Sequence, residues 1–214
     1  MIFVSGSIST PTKTISQKDA KLVVAIDNSL STHGDVLKMQ KEIAKKISAR
    51  FEQKTFLAWN SYAQVVKNLN SIVPKGGTTP VCFVSLMKKN KIQCDFLVLF
   101  TDGKIHDLET FRNSICSLDL QCPVVVVIMM RNFMYDESDI SIAEACLSAS
   151  SNVAVCATSP ADPTLRIVLA TGCFRKFMRS KPTKLMHSIP LSYFDYLDFD
   201  QLWSNQSLTI SLVP

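Results

Sequence analysis

The chain has 214 residues, 47% of them apolar and 19% charged, with a net charge of +5 at pH 7. That is enough apolar material for one buried core, and it excludes a disordered or fibrous chain. The longest apolar run, Cys122 to Met130, is too short to cross a bilayer, so no membrane association is expected.

Leu22 to Ile26 is apolar throughout and, with Asp27, reads as a fully buried strand over residues 22–27. From His33 to Phe51, Val36, Ile43, Ile47 and Phe51 share one face and most lysines the other, which is the pattern of an amphipathic helix. Thr55 to Trp59 is a second strand and Ala63 to Leu69 a third. The short Asn60-Ser61 connection between them favours an antiparallel hairpin. The loop Pro74-Lys75-Gly76-Gly77 leads into a helix that starts near Pro80, a residue tolerated in a first helical turn. Asp95 to Thr101 is a fourth strand, and residues 107–118 form a helix. Pro123 to Met130, with four consecutive valines, is a fifth strand. A helix over 138–149, a sixth strand over Val153 to Ala157 and a last helix from Pro163 to Met178 complete the series. Strands alternating with helices predict an α/β fold of three layers, with a doubly wound, mostly parallel six-stranded sheet holding one antiparallel strand.

The domain is expected over residues 21–180, between an N-terminal extension, 1–20, and an acidic-aromatic C-terminal extension, 181–214, packed on or near it. Pairing of Leu208–Leu212 with Phe3–Ile8 is one way to seat that tail. Seven cysteines are scattered without a C-x-x-C pair, and the total is odd. They read as free thiols in a reducing compartment. The start, Met1-Ile2-Phe3-Val4-Ser5, lacks the basic flank and long apolar stretch of a secretory signal. An intracellular protein, cytoplasmic or nuclear, is therefore expected.

Three polar clusters stand where apolar strands should end, or in a loop between elements. Asp27-Asn28-Ser29-Leu30-Ser31 follows the first strand, Gly76-Gly77-Thr78-Thr79 precedes a helix, and Thr101-Asp102-Gly103 follows the fourth strand. Hydroxyls and carboxylates converging at one edge of a parallel sheet make an all-oxygen site suited to a hard divalent cation. The order and placement of these clusters resemble the metal-ion-dependent adhesion site of von Willebrand factor type A domains, over roughly residues 20–178. The resemblance implies Mg2+, or Mn2+, held directly or nearly so by Ser29, Ser31 and Thr78, and partly through water by Asp27 and Asp102. It implies an open coordination position for an aspartate or glutamate of a protein partner, with Leu30, Thr79 and Lys104 on the partner-binding rim. Leu30 departs from the family, which usually has glycine between the two serines, and Thr79 remains an alternative to Thr78. Secreted relatives often join the domain's ends by a disulfide, and no cysteine lies near either end here.

The implied function is divalent-metal-dependent protein–protein binding, as a subunit or adaptor of a larger assembly, without catalysis. A second reading is a ribonucleoprotein-type module that binds RNA or an acidic partner through basic patches, Lys38, Lys41 and Lys45 with Arg175, Lys176 and Arg179, over an inert metal site. A solvated helix face is the plainer account of those charges, and nucleic acid is not favoured. A metal-dependent phosphohydrolase is third. The phosphatases that place a nucleophilic aspartate after such a strand need a second carboxylate two residues on, where this chain has Ser29. No G-x-S-x-G, H-E-x-x-H or Walker pattern is present. Asp195, Asp198 or Asp200 of the tail could enter the metal site of the same or a neighbouring molecule, a route to self-association.

Overall fold

The computed structural model describes residues 12–14, 19–103, 105, 107–130, 134–135, 140–178, 189–190, 194–197 and 209–211. Side chains that are apolar on both faces of the central strands dictate the architecture. In β2 (Lys21–Asp27), Leu22, Val24 and Ile26 point to one face and Val23 and Ala25 to the other, all buried. β5 (Phe96–Thr101) and β6 (Val124–Met129) are buried at every position. A strand buried on both faces needs a layer on each side. On one side lies α1 (Asp35–Ser48), which packs Val36, Leu37, Ile43, Ala44 and Ile47 inward. On the other lie α2 (Val81–Lys89), α3 (Leu108–Cys116) and α4 (Ser141–Ala149). The Asp107 carboxylate caps α3, accepting from the Thr110 amide at 3.1 Å.

Among the described residues one sheet holds eight strands. β3 (Gln53–Trp59), β4 (Ala63–Val66), β8 (Val153–Ser159), β9 (Asp162–Ala170) and β11 (Asp195–Tyr196) join β2, β5 and β6 in the order β11-β9-β8-β6-β5-β2-β3-β4. Two short ribbons stand apart: β1 (Thr12–Thr14) with β12 (Thr209–Ser211), and β7 (Met134–Tyr135) with β10 (Ile189–Pro190). Neighbours β2 and β5 are parallel and send their connections to opposite faces, which makes their C-terminal ends the sheet's switch point.

The six-stranded sheet with one antiparallel strand is therefore corrected to eight strands with three antiparallel pairs, β3/β4, β8/β9 and β9/β11. The expected helix over Pro163–Met178 is instead the strand β9 followed by a 3-10 segment over Gly172–Phe177. The tight Pro160-Ala161 turn folds this strand back on β8, and the β-branched Thr164, Ile167 and Val168 suit a pleated, half-buried surface. A second helix on the α1 face is thereby replaced by Phe174, Phe177 and Met178 of the short segment. Part of the C-terminal extension supplies the eighth strand, with Leu197 buried at its end. Phe3–Ile8, Asp198 and Asp200 lie outside the described residues, and the observed partner of Thr209–Ser211 is Thr12–Thr14.

Candidate functional site

The C-terminal ends of β2 and β5 bring four of the five expected ligand residues into one hydrogen-bonded series. Asp27 and Ser29 are essentially buried, 0% and 1% exposed, while Ser31 is exposed. The Asp27 carboxylate accepts from the Ser29 amide at 2.9 Å and from the Thr101 hydroxyl at 3.4 Å. The Ser29 and Ser31 hydroxyls lie 2.9 Å apart, and Ser31 donates to Asp102 Oδ1 at 3.0 Å. The chain turns this sharply because residues Leu30–Thr32 form a 3-10 turn, closed by the Thr32 amide and hydroxyl on the Ser29 carbonyl at 3.0 and 2.8 Å.

The glycine loop is tied to the same strand end. The Leu30 amide donates to the Gly76 carbonyl at 3.2 Å and the Lys75 amide to the Asn28 carbonyl at 2.8 Å. Two buried asparagines hold the connection: Asn60 Nδ2 donates to Asn28 Oδ1 at 3.0 Å, and Asn28 Nδ2 to the Val73 carbonyl at 2.7 Å. Gly76 has a φ of +72°, and a Cβ there would stand 2.9 Å from Asn60 Oδ1, so both conformation and space require glycine. Thr78, half-buried, and Thr79, exposed, follow in this loop. Leu30 is 65% exposed on the rim, and Lys104 lies outside the described residues.

Burial pushes the Asp27 carboxyl up to about 7. The hydrogen bonds from Ser29 and Thr101 counter this only in part, and the Asp102 charge adds to it. Asp27, buried with no positive charge beside it among the described residues, is an electrostatic deficit that a cation would offset. The donor set is entirely oxygen, as a hard cation needs. Among the described residues, no group of three or more His, Cys, Asp or Glu side chains gathers as a metal cluster. The fit to a metal therefore rests on hydroxyls as much as on carboxylates.

Sequence reasoning missed three contributors. Thr101 places its hydroxyl on Asp27, and Asn28 and Asn60 clamp the glycine loop. Tyr62, 79% exposed, flanks that loop through its neighbour Ser61, whose hydroxyl accepts from the Gly77 amide at 2.8 Å. An aromatic residue inside a hairpin connection, with no core to enter, was the available signal. The basic residues divide. Lys41 donates to the Ile72 carbonyl at 2.6 Å and is thus tied to the fold, whereas Lys38, Lys45, Arg175 and Lys176 are exposed. Arg179 lies outside the described residues. No helix among the described residues is long and apolar enough to cross a membrane.

No family model and no curated protein matches the chain. Among solved structures, it is similar to proximal thread matrix protein 1 from the mussel byssus, at 15% identity and a TM-score of 0.48, over 66% of this chain. It spans 41% of the mussel protein's length. It is likewise similar to the VWA domain of SpRpn10, at 14% identity and a TM-score of 0.48, over 66% of this chain and 88% of that one.

Proposed function

We propose that the chain is a protein-interaction module that binds a carboxylate of a protein partner through Mg2+ or Mn2+ held by Asp27, Ser29, Ser31, Thr78 and Asp102. The observation that carries this reading is the continuous series of oxygens from the Ser29 hydroxyl through Ser31 to Asp102, beside the buried Asp27 carboxyl. A divalent cation bound there supplies positive charge and an open position for an incoming aspartate or glutamate. The chain's own residues do the rest. Asp27 as its carboxylate and the Ser29 and Ser31 hydroxyls through their lone pairs would hold the cation, and Asp102 orients Ser31. Exposed Leu30 and Tyr62, on either side of the Gly76-Gly77 loop, offer apolar contact to whatever surrounds the partner's carboxylate. Seven free cysteines support a reducing compartment, cytoplasmic or nuclear.

Thermal unfolding in Mg2+, in Mn2+ and in chelator tests the metal. The wild type should gain several degrees with millimolar metal, and Asp27→Ala should lose that gain whatever its own midpoint. A wild-type midpoint indifferent to metal sinks the metal-dependent reading. Immobilised peptides bearing Asp or Glu, against their Asn or Gln counterparts, then test the carboxylate. Retention should require both the acidic peptide and the metal.

One observation favours the second reading. α1 and the 172–177 segment lie on the same face of the sheet, joined by a run of rings in which Phe51 stands 6.1 Å from Phe96 and Phe96 6.4 Å from Phe174. Lys38 and Lys45 therefore share a layer with Arg175 and Lys176. Binding to an anionic partner that weakens steeply with salt and ignores chelator would favour that face over the metal site.

A further inference from the structure

At the opposite end of the sheet from Asp27, two thiols face each other. Cys94 stands two residues before β5 and Cys122 two residues before β6, at the roots of adjacent parallel strands that pair Leu97 with Val124. Cys122 Sγ donates to Cys94 Sγ at 3.8 Å. The backbones around the pair are held in place. The Ser150 hydroxyl donates to the Cys122 carbonyl at 2.9 Å, the Leu97 amide to the Pro123 carbonyl at 3.0 Å, and the Asp95 amide to the Lys21 carbonyl at 2.9 Å. All seven cysteines are among the described residues, and this is the one pair of them with sulfurs in contact.

We propose that Cys94 and Cys122 are a redox-responsive pair, which a low-molecular-weight disulfide such as oxidised glutathione converts to an intramolecular disulfide. Closing 3.8 Å to a bond of about 2.05 Å asks only for small side-chain rotations on two strands that are already neighbours. Cys94 is half-buried and Cys122 is 3% exposed, so Cys94 is the more accessible residue of the two and the one at which exchange starts. As a thiolate, its proton lost to solvent, it attacks one sulfur of glutathione disulfide and expels one glutathione thiolate. Cys122 then loses its proton and attacks the Cys94 sulfur of the mixed disulfide, expelling the second glutathione. Two protein thiols are oxidised and one glutathione disulfide is reduced to two thiols, which balances the exchange. The contact with the neighbouring Cys122 thiol and burial together hold the Cys94 thiol well above its ordinary range, so the thiolate is scarce at neutral pH and the exchange speeds up as pH rises. The bond would close a ring running through β5, the Thr101–Asp102 turn and α3, which ties down the root of the strand whose far end carries Asp102. This inference does not depend on metal binding.

The test uses the intact chain, incubated with oxidised glutathione at pH 8.5, quenched in acid and alkylated. It is then digested at Asp119, between Cys116 and Cys122, without reduction. The expected result is a cross-linked peptide carrying Cys94 and Cys122, with two of the seven thiols lost to alkylation. The unfolding midpoint should rise by about 5–10 °C and return with dithiothreitol, as closing a ring of this length implies. Cys116→Ser should keep the link, and Cys94→Ser should abolish it. The wild-type map decides the matter even if a variant at buried Cys122 fails to fold. Glutathione adducts on Cys94 or exposed Cys116 without the Cys94–Cys122 link would overturn the proposal, as would a link that forms only in denaturant.

Discussion

Asp27 has no exposed surface, and its neighbours among the described residues bring hydrogen bonds but no positive charge. Its carboxyl titrates near 7 in the folded chain against 3.8 for an ordinary aspartate, so between those pH values the folded state keeps a proton that the unfolded chain releases. Folding stability then falls as pH rises from about 4 to about 7, and the full penalty stands above pH 7. Three pH units correspond to about 4 kcal/mol as an upper figure. Asp27→Asn keeps the shape and removes the charge, and the Thr101 hydroxyl can reverse to accept from the new amide. In chelator at pH 8 this variant should be more stable than the wild type by about 2–4 kcal/mol, from the same linkage. The difference should shrink to nothing near pH 4, and the metal-induced gain should vanish. Denaturant titrations at several pH values read this directly, and parallel pH profiles for the two proteins would show that Asp27 is not the group responsible. Asp27, Ser29, Ser31 and Asp102 were legible in the sequence because each follows the apolar run of a strand. Asn28 and Asn60 were not, since their partners lie 45 and 32 residues away and nothing local announces a buried amide pair.

Those two asparagines act between elements. β2, β3 and the 73–79 loop meet at one point, where the Asn28 amide donates to the Trp59 carbonyl, the Thr79 amide to the Asn60 carbonyl and each asparagine side chain to another segment. Asn28→Ala would strand Asn60 Nδ2 in a buried setting and take the partner from the more exposed Val73 carbonyl, at a cost of about 1–3 kcal/mol. The loop should loosen ahead of global unfolding, so hydrogen exchange should rise at the Leu30, Lys75 and Thr79 amides while the amides of β5 and β6 stay protected. Uniform acceleration across the sheet would mean that the pair only stabilises the fold and does not hold the loop. At this scale the parallel strands were readable because apolar side chains on both faces leave no other solution. β9 was not. Leu165, Val168 and Leu169 are spaced as on one face of a helix, and Pro163 fits a first turn. The strand reconciles that spacing with a sheet through an irregularity: Val155 pairs with Leu169 but Cys156 with Ile167, so Val168 is an extra residue in the ladder. A bulge breaks the period of two on which a strand is recognised.

Across the whole molecule, β4 ends the sheet on one side, and β11, drawn from the C-terminal extension, ends it on the other. Phe194 packs against the face that carries α2, α3 and α4, and Leu197, 1% exposed, packs against the α1 face, with its amide on the Leu165 carbonyl at 2.9 Å. The short strand thus contributes to both cores while covering the edge of β9. Asp195 sits five strand spacings from β2, about 24 Å, too far to reach this molecule's own Asp27. Asp195 is therefore not an internal ligand of that site. Removing residues 194–214 should expose the backbone of β9, a nine-residue strand, as an unpaired edge. Light scattering and size exclusion should then show concentration-dependent association of the truncated chain that the full chain lacks, with a lower unfolding midpoint. Leu197→Ala separates the two causes. It should lose about 2–4 kcal/mol from the cavity it leaves and yet stay as monodisperse as the wild type, because the ladder to β9 uses backbone groups. If truncation instead reduces association, the tail is itself the contact between molecules, and its carboxylates act on a neighbour and not on the edge of their own sheet.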